Sequence, residues 1–361
     1  MNAKVRRVVV GTAAISMALS LAACGKAGGG DGGGDNKTIG LLLPENKTTR
    51  YETFDRPYMT EKIKSLCKDC KVKYNNANQD SEQQKKQFDA LIAQGVKTII
   101  LDAVDAQATK SWVDRAAKKG VKVVAYDRLA EGDISAYISY DNFKIGELQG
   151  KGLVEALGDK AKDANVVMIN GSPTDPNAPL FKKGAHSVLD KKVKKIVYEQ
   201  DIPDWSPDEA NKKMGAAITK LGKDGFEGVY AANDGMAGGV STAMKKAGVK
   251  DVPLGGQDSE LAGLQRIVKG DQTLTIYKAI KPQAETTAEI AVNLLQGKKI
   301  DSLTPKKVDS KSKKGVPAQL YSAQVVTKDN IKDTILKDKV YKVDQICTPQ
   351  FAKDCEAAGL K

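Results

Sequence analysis

TIILDAVDAQATKSWVDRAAKKGVKVVAYDR, residues 98–128, reads as one strand–helix–strand unit. TIIL (98–101) and VVAY (123–126) are unbroken apolar runs, as parallel strands covered on both faces require. Between them, Thr109–Lys119 has the spacing of an amphipathic helix. Gly120 stands just past its end, where a left-handed cap needs a residue without a Cβ, and a second strand is predicted at Val121–Tyr126.

The same alternation runs outward in both directions. Strands are predicted at Thr38–Leu43, Lys71–Asn76, Thr98–Leu101, Asn165–Asn170, Lys195–Gln200, Gly228–Ala232, Pro253–Gly255 and Thr273–Tyr277. Helices are predicted at Tyr58–Leu66, Ser81–Gln94, 206–221, 235–247, 259–269 and 282–296. That gives two sets of about five strands in a body of roughly 325 residues, more than one hydrophobic core usually supports. The fold class expected is α/β, with two doubly wound parallel-sheet lobes joined by a hinge. The first lobe is expected from 37–141 plus 279–301, the second from 142–278 plus 302–345, with 346–361 as a tail. Crossings between lobes are expected near Tyr140–Asn142, Lys278–Ala279 and Asp301–Leu303.

Open α/β sheets bind ligands beyond the carboxyl ends of their strands. Asp127-Arg128, Gly171-Ser172-Pro173, Asn233-Asp234, Gln257-Asp258 and Lys278 occupy those ends. They are polar, mixed in charge and rich in planar donors and acceptors, which suits a neutral polyol. Trp205, in the loop PDWSPDEA, offers a ring for the C–H face of a sugar or packs on its own helix start. Trp112 falls inside an amphipathic helix and reads as core.

At the N-terminus, Lys4, Arg6 and Arg7 precede a charge-free apolar run, Val8 to Leu21, and Leu-Ala-Ala-Cys closes it at Cys24. This reads as a signal peptide over 1–23, too short for a comfortable membrane span. Cys24 resembles the lipidated cysteine of a bacterial lipobox. The glycine-rich stretch to residue 36 cannot bury apolar surface and reads as a tether. An extracytoplasmic protein held to the membrane by an N-terminal lipid is therefore expected.

Residues 1–23 carry three positive charges and no acidic ones, so their removal takes the net charge from +12 to +9. The densest basic runs, KKVKK (191–195) and KSKK (311–314), lack interleaved aromatics and read as solvated faces rather than a nucleic-acid track. Four cysteines follow Cys24. In an exported chain they suggest two disulfides, and the short spacings favour Cys67–Cys70 and Cys347–Cys355. CKDC could also be a redox motif or half a zinc site. It follows a helix rather than opening one, and the chain holds a single histidine, so a loop-closing bridge is the better reading.

That histidine, His186, reads as a surface or packing residue. A G-x-S-x-G elbow, a phosphate loop and an EF-hand pattern are all missing from the sequence. No enzyme activity, cofactor or metal is expected.

Several blocks carry a family resemblance: AYDR (125–128), YISYDNFKIGELQ (137–149), GSPTDPNA (171–178), AANDGMAGG (231–239), GGQDSELAGLQRIVKGDQT (255–273) and TIYK (275–278). TAEIAV (287–292) and NIKDTI (330–335) also fit. The chain resembles the D-xylose-binding proteins of ABC transporters, within the type I periplasmic-binding-protein fold. The resemblance implies a monosaccharide ligand, a pentose in particular, and delivery by a monomer to a transporter permease. A membrane sensor kinase that reads sugar occupancy is the alternative partner. A sugar-responsive repressor shares the fold, but a signal and a tether stand where its helix-turn-helix would be.

The resemblance also implies site residues. Arg50 matches an arginine of the first βα loop, and Asp127 with Arg128 match a pair that holds ring hydroxyls. Asn177 closes the GSP-x-D-x-N-A block, and Trp205 matches a stacking tryptophan. Asn233, Asp258 and Lys278 match the polar residues of the later blocks. Two departures are visible: Tyr51 stands where the family carries a tryptophan, and Pro176 precedes Asn177.

Overall fold

The computed structural model describes residues 37–360. The signal peptide, Cys24 and the tether lie outside the described residues.

In chain order the elements are β1 (Thr38–Leu43), α1 (Arg56–Leu66), β2 (Lys71–Asn76), α2 (Ser81–Ala93), β3 (Thr98–Leu101), α3 (Lys110–Lys118), β4 (Lys122–Tyr126) and β5 (Ala136–Tyr140). There follow α4 (Asn142–Leu157), β6 (Asn165–Asn170), α5 (Ala178–Lys192), β7 (Lys195–Asp201), α6 (Pro207–Leu221), β8 (Gly228–Ala231), α7 (Asp234–Lys246), β9 (Leu254–Gly255), α8 (Leu261–Lys269) and β10 (Leu274–Lys278). Last come α9 (Ile280–Leu295), β11 (Lys306–Val308), β12 (Val316–Tyr321), β13 (Ala323–Thr327), α10 (Val343–Ile346) and α11 (Ala352–Ala357).

Two sheets form. The first has the order β11-β12-β5-β4-β3-β1-β2 and the second β13-β10-β9-β8-β6-β7. Every pairing is parallel except β11 with β12 and β10 with β13. The central strands are buried on both faces: every residue of TIIL in β3 is buried, as are VVAY in β4 and VVMIN in β6. Leu42, Phe88, Trp112 and Val123 fill one face of the first sheet, and Ile39, Met59, Ile100 and Ala288 the other. The second sheet carries its own core around Val167, Met214, Tyr230 and Ile276.

The chain crosses between the sheets three times. It leaves the first after β5 and returns after β10, because α9 packs on α1, β3 and β4. The third crossing corrects the sequence reading. Residues 302–321 do not join the second lobe: β11 and β12 extend the first sheet, and β12 pairs in parallel with β5. Val316 and Ala318 are buried in the first lobe's core, which holds that strand in place. The crossing is therefore at Ser322, between β12 and β13, and Asp301–Leu303 is a helical turn beside β12 rather than a hinge. The three crossings touch: the Tyr140 hydroxyl donates to the Ala279 carbonyl at 2.8 Å, and the Asp141 amide to the Tyr321 carbonyl at 3.4 Å.

The structure joins Cys67 to Cys70 and Cys347 to Cys355, with Cα–Cα distances of 5.2 and 5.8 Å. The second bridge lies in a satellite core where the C-terminal residues cover Leu264, Ile267 and Tyr277.

Candidate binding site

The carboxyl ends of strands from both sheets converge on one tightly closed chamber with a free volume of about 20 Å³. Nine residues named from the sequence line it, Arg50, Tyr51, Asp127, Arg128, Asn177, Trp205, Asn233, Asp258 and Lys278, whereas Gly171, Ser172, Pro173 and Asp234, also placed at strand ends, do not. Gln257, named with the strand ends, lines it too, and so do Thr48, Asp175 and Phe181, which the sequence did not single out.

The first lobe supplies a clamped cationic wall. The Arg50 guanidinium is held by both oxygens of Asp55, at 2.7 and 3.1 Å, and by Gln283 Oε1 at 2.9 Å. It also pairs with Asp127 at 3.4 Å. Arg56 points elsewhere: it is half exposed, pairs with Glu52 and covers the Tyr74 ring at 4.0 Å. The Tyr51 ring lies 5.4 Å from the Arg50 guanidinium carbon and 6.0 Å from that of Arg128.

Asp127 directly follows β4 at φ 54°, the left-handed region that non-glycine residues seldom adopt. Its carbonyl accepts from Ser139 Oγ at 2.6 Å and Tyr137 OH at 3.0 Å, which holds that conformation. Trp205 and Asp258 are also at positive φ, 52° and 92°. Strained backbone of this kind clusters at ligand sites because the surroundings over-determine it. Burial alone would raise the Asp127 carboxyl, but Arg50, Lys278 and Arg128 outweigh it and hold the group below its ordinary range. Asp127 is thus an ionised acceptor inside a dry chamber.

The second lobe closes the opposite wall. Asn177 donates to the Asp127 carbonyl at 3.2 Å while its own Oδ1 accepts from Asn142 at 2.7 Å. Asn233 caps α7 through Oδ1, accepting from the Met236 amide at 2.8 Å, so its NH₂ is the end left to donate to a ligand. Lys278 Nζ pairs with Asp258 at 2.7 Å. Gln257 is buried, and its Oε1 has no hydrogen-bond partner among the described residues. The Trp205 indole N–H donates to Asp175 at 3.1 Å.

Asp175 is the most informative residue that sequence reasoning passed over. It lies in the quoted GSPTDPNA block, two residues before Asn177, and reaches across the cleft to Arg128 Nε at 2.9 Å. The acidic position in that block was the signal that could have found it. Other contacts between the lobes lie beside the chamber. The Thr49 amide donates to Glu260 at 3.1 Å, and the Phe54 ring meets Tyr341 edge-on at 5.5 Å.

Among the lining residues, three cations (Arg50, Arg128, Lys278) balance three carboxylates (Asp127, Asp175, Asp258). A chamber that is neutral overall, yet dense in charged donors and acceptors, fits an uncharged molecule with many hydroxyls.

Comparison with known proteins places relatives beside this chain. Residues 39–299 match the periplasmic binding protein domain. The chain is 37% identical over 314 residues to the D-xylose-binding periplasmic protein of Escherichia coli, covering 85% of this chain and 92% of that one. It is 34% identical to the protein of the same name from Haemophilus influenzae, covering 85% and 91%. An ABC transporter solute-binding protein from Clostridium phytofermentans, solved with bound β-D-glucose, superposes with a TM-score of 0.76. It is 25% identical, with 86% of this chain and 100% of that one covered.

Proposed function

This chain belongs to the periplasmic-binding-protein family, and on that premise we propose that it captures D-xylose between its lobes and delivers it to the permease of an ABC transporter. It is a sugar-binding transport receptor and not an enzyme.

One observation carries the reading most: charged and planar groups of both lobes surround a single chamber whose charges balance. In a closed site each charge-assisted hydrogen bond to a hydroxyl contributes about 1.5–3 kcal/mol. Groups on both lobes then give the sugar more contacts in the closed form than in the open one. That difference is the free energy that drives hinge closure. The three touching crossings are the natural hinge. The choice of xylose is supported by the two relatives whose names carry that sugar, while the solved neighbour with glucose supports the wider class of monosaccharides. Delivery to a permease, rather than to a sensor kinase, is supported by that neighbour's description as a transporter component. We read the protein as a monomer attached through a lipid on Cys24, outside the described residues.

Calorimetry and thermal shift against xylose, ribose, arabinose, glucose and galactose test the reading. A ligand that binds only the native state raises the apparent stability. Xylose should give the largest shift. Binding of another monosaccharide in preference would replace xylose, and binding of none would overturn the reading.

A further inference from the structure

We propose that Arg128 exchanges carboxylate partners as the lobes move, paired with Asp175 of the second lobe when they are closed and with Asp102 of the first when they are open. The inference rests on the reading that the lobes open and close around a ligand.

Asp102 directly follows β3, beside the strand that presents Arg128. It is 0% exposed, and neither of its oxygens has a hydrogen-bond partner among the described residues. Its Oδ1 lies 3.5 Å from Arg128 Nε, while Asp175 Oδ2 forms an ion pair with that nitrogen at 2.9 Å, a contact whose geometry leaves the Nε–H without a hydrogen bond. A buried carboxylate without hydrogen bonds is among the costliest groups to keep in a protein interior. Burial outweighs the attraction of Arg128 and lifts the Asp102 carboxyl well above its ordinary range, so this closed arrangement makes little use of the group.

The two carboxylates differ in which lobe carries them. Asp175 also accepts from the Asn177 amide at 2.8 Å and from the Trp205 indole at 3.1 Å, both second-lobe groups, so it travels with that lobe. Arg128 stays with the first lobe, where Nη1 donates to the carbonyl of Ala103, the residue after Asp102. When the cleft opens, Asp175 leaves, and the guanidinium needs to shift by less than an ångström, as an order of magnitude, for Nε to reach Asp102 at ordinary ion-pair hydrogen-bond distance. Asp102 is then a positioning residue. It keeps Arg128 charged, ordered and facing the open cleft, and its grip opposes closure. Asp175 favours closure.

The two carboxylates therefore have opposite effects on one equilibrium. Apparent affinity scales with the fraction of protein able to close. Asp102→Asn should tighten xylose binding by roughly 3- to 10-fold and make the unliganded protein more compact in small-angle scattering. Asp175→Asn should weaken binding and leave the unliganded protein more expanded. Asp102→Ser, also uncharged and smaller, serves if the first variant fails to accumulate. Weaker binding in both 102 variants would overturn the exchange, because a residue that only holds Arg128 for the sugar predicts that loss. Identical unliganded scattering from the 102 and 175 variants would overturn it equally. The scattering arm needs no ligand, so it still tests the exchange if xylose proves not to be the ligand.

Discussion

Lys278 Nζ sits 2.7 Å from Asp258 Oδ1, a buried ion pair that joins the ends of neighbouring strands β10 and β9 at the wall of the chamber. Removing one member leaves the other charged and dry, which is more damaging than losing the pair. Asp258→Ala should cost about 3 kcal/mol of stability in chemical denaturation. It should also weaken sugar binding ~30- to 1,000-fold by calorimetry. Arg128→Ala should weaken binding to a similar degree. Lys194→Ala, exposed in the basic run 191–195, should change neither. Wild-type affinity in the first two variants would show that the chamber is not the sugar site.

Trp205 should report occupancy by fluorescence. Trp112, the other tryptophan, is buried against Phe88 with ring centroids 4.7 Å apart, remote in role from the chamber. Trp205→Ala should abolish most of the sugar-dependent signal. Gly171→Ala should do nearly the same without touching the indole chemically, because its Cβ would stand 2.1 Å from the Trp205 ring. A full signal in Trp205→Ala would assign the change to Trp112 instead.

Glu260 makes stability depend on pH. Burial, with the nearby charges of Asp234 and Asp258, pushes its carboxyl up from 4.5 to about 8. The folded value lies above the unfolded one, so the folded protein holds the extra proton. The contribution is intact below about pH 4.5 and is lost as pH rises through about 8. Asp234, pushed up to about 6, adds a smaller slope of the same sign. Thermal stability should thus decline between about pH 5 and 8, by a few kcal/mol as an order of magnitude. Glu260→Gln keeps an oxygen to accept from the Thr49 amide and should flatten most of that decline. An unchanged profile in this variant would show that Glu260 is ionised throughout.

Mass mapping of the unreduced exported protein should recover Cys67 linked to Cys70 and Cys347 linked to Cys355. The partners are only 3 and 8 residues apart, so each bridge closes a short loop and restricts the unfolded chain little. Reduction should loosen the C-terminal segment over α8 in hydrogen exchange while global unfolding shifts only slightly. Four free thiols in the native protein would refute both bridges.

Cys24→Ser should leave the protein unprocessed or release it from the membrane fraction. A mutant that is cleaved and retained as before would mean that the anchor lies elsewhere.

Strands such as TIIL and VVAY were legible because a parallel strand buried on both faces needs an unbroken apolar run, and that demand is local. Helices α4 and α5 were harder to read. They cross so closely that a Cβ on Gly146 would lie 1.9 Å from the Phe181 carbonyl oxygen, and one on Gly184 2.1 Å from that of Phe143. Glycines placed for this contact lower helix propensity, so the packing hides the helices from a propensity reading. β12 was missed for another reason. VPAQLY is only partly buried and carries a proline at its second position, and its place next to β5 is set by residues far away in sequence.

Asp127, Arg128, Asn233, Asp258 and Lys278 could be named in advance because strand ends are where this architecture exposes side chains to a cleft, whereas Arg50 and Asn177 were named only through the family resemblance. By itself the sequence determined the alternation of strands and helices, the two-lobe division and the chemistry offered at each strand end, since all three follow from local pattern. Only the tertiary structure decided that the third crossing lies at Ser322, that Asp175 reaches Arg128 across the cleft, and that Asp102 is left behind it without a hydrogen bond. The partners in those relationships are 25 or more residues apart in the chain. Their distances depend on how two separately folded sheets meet, which no local pattern records.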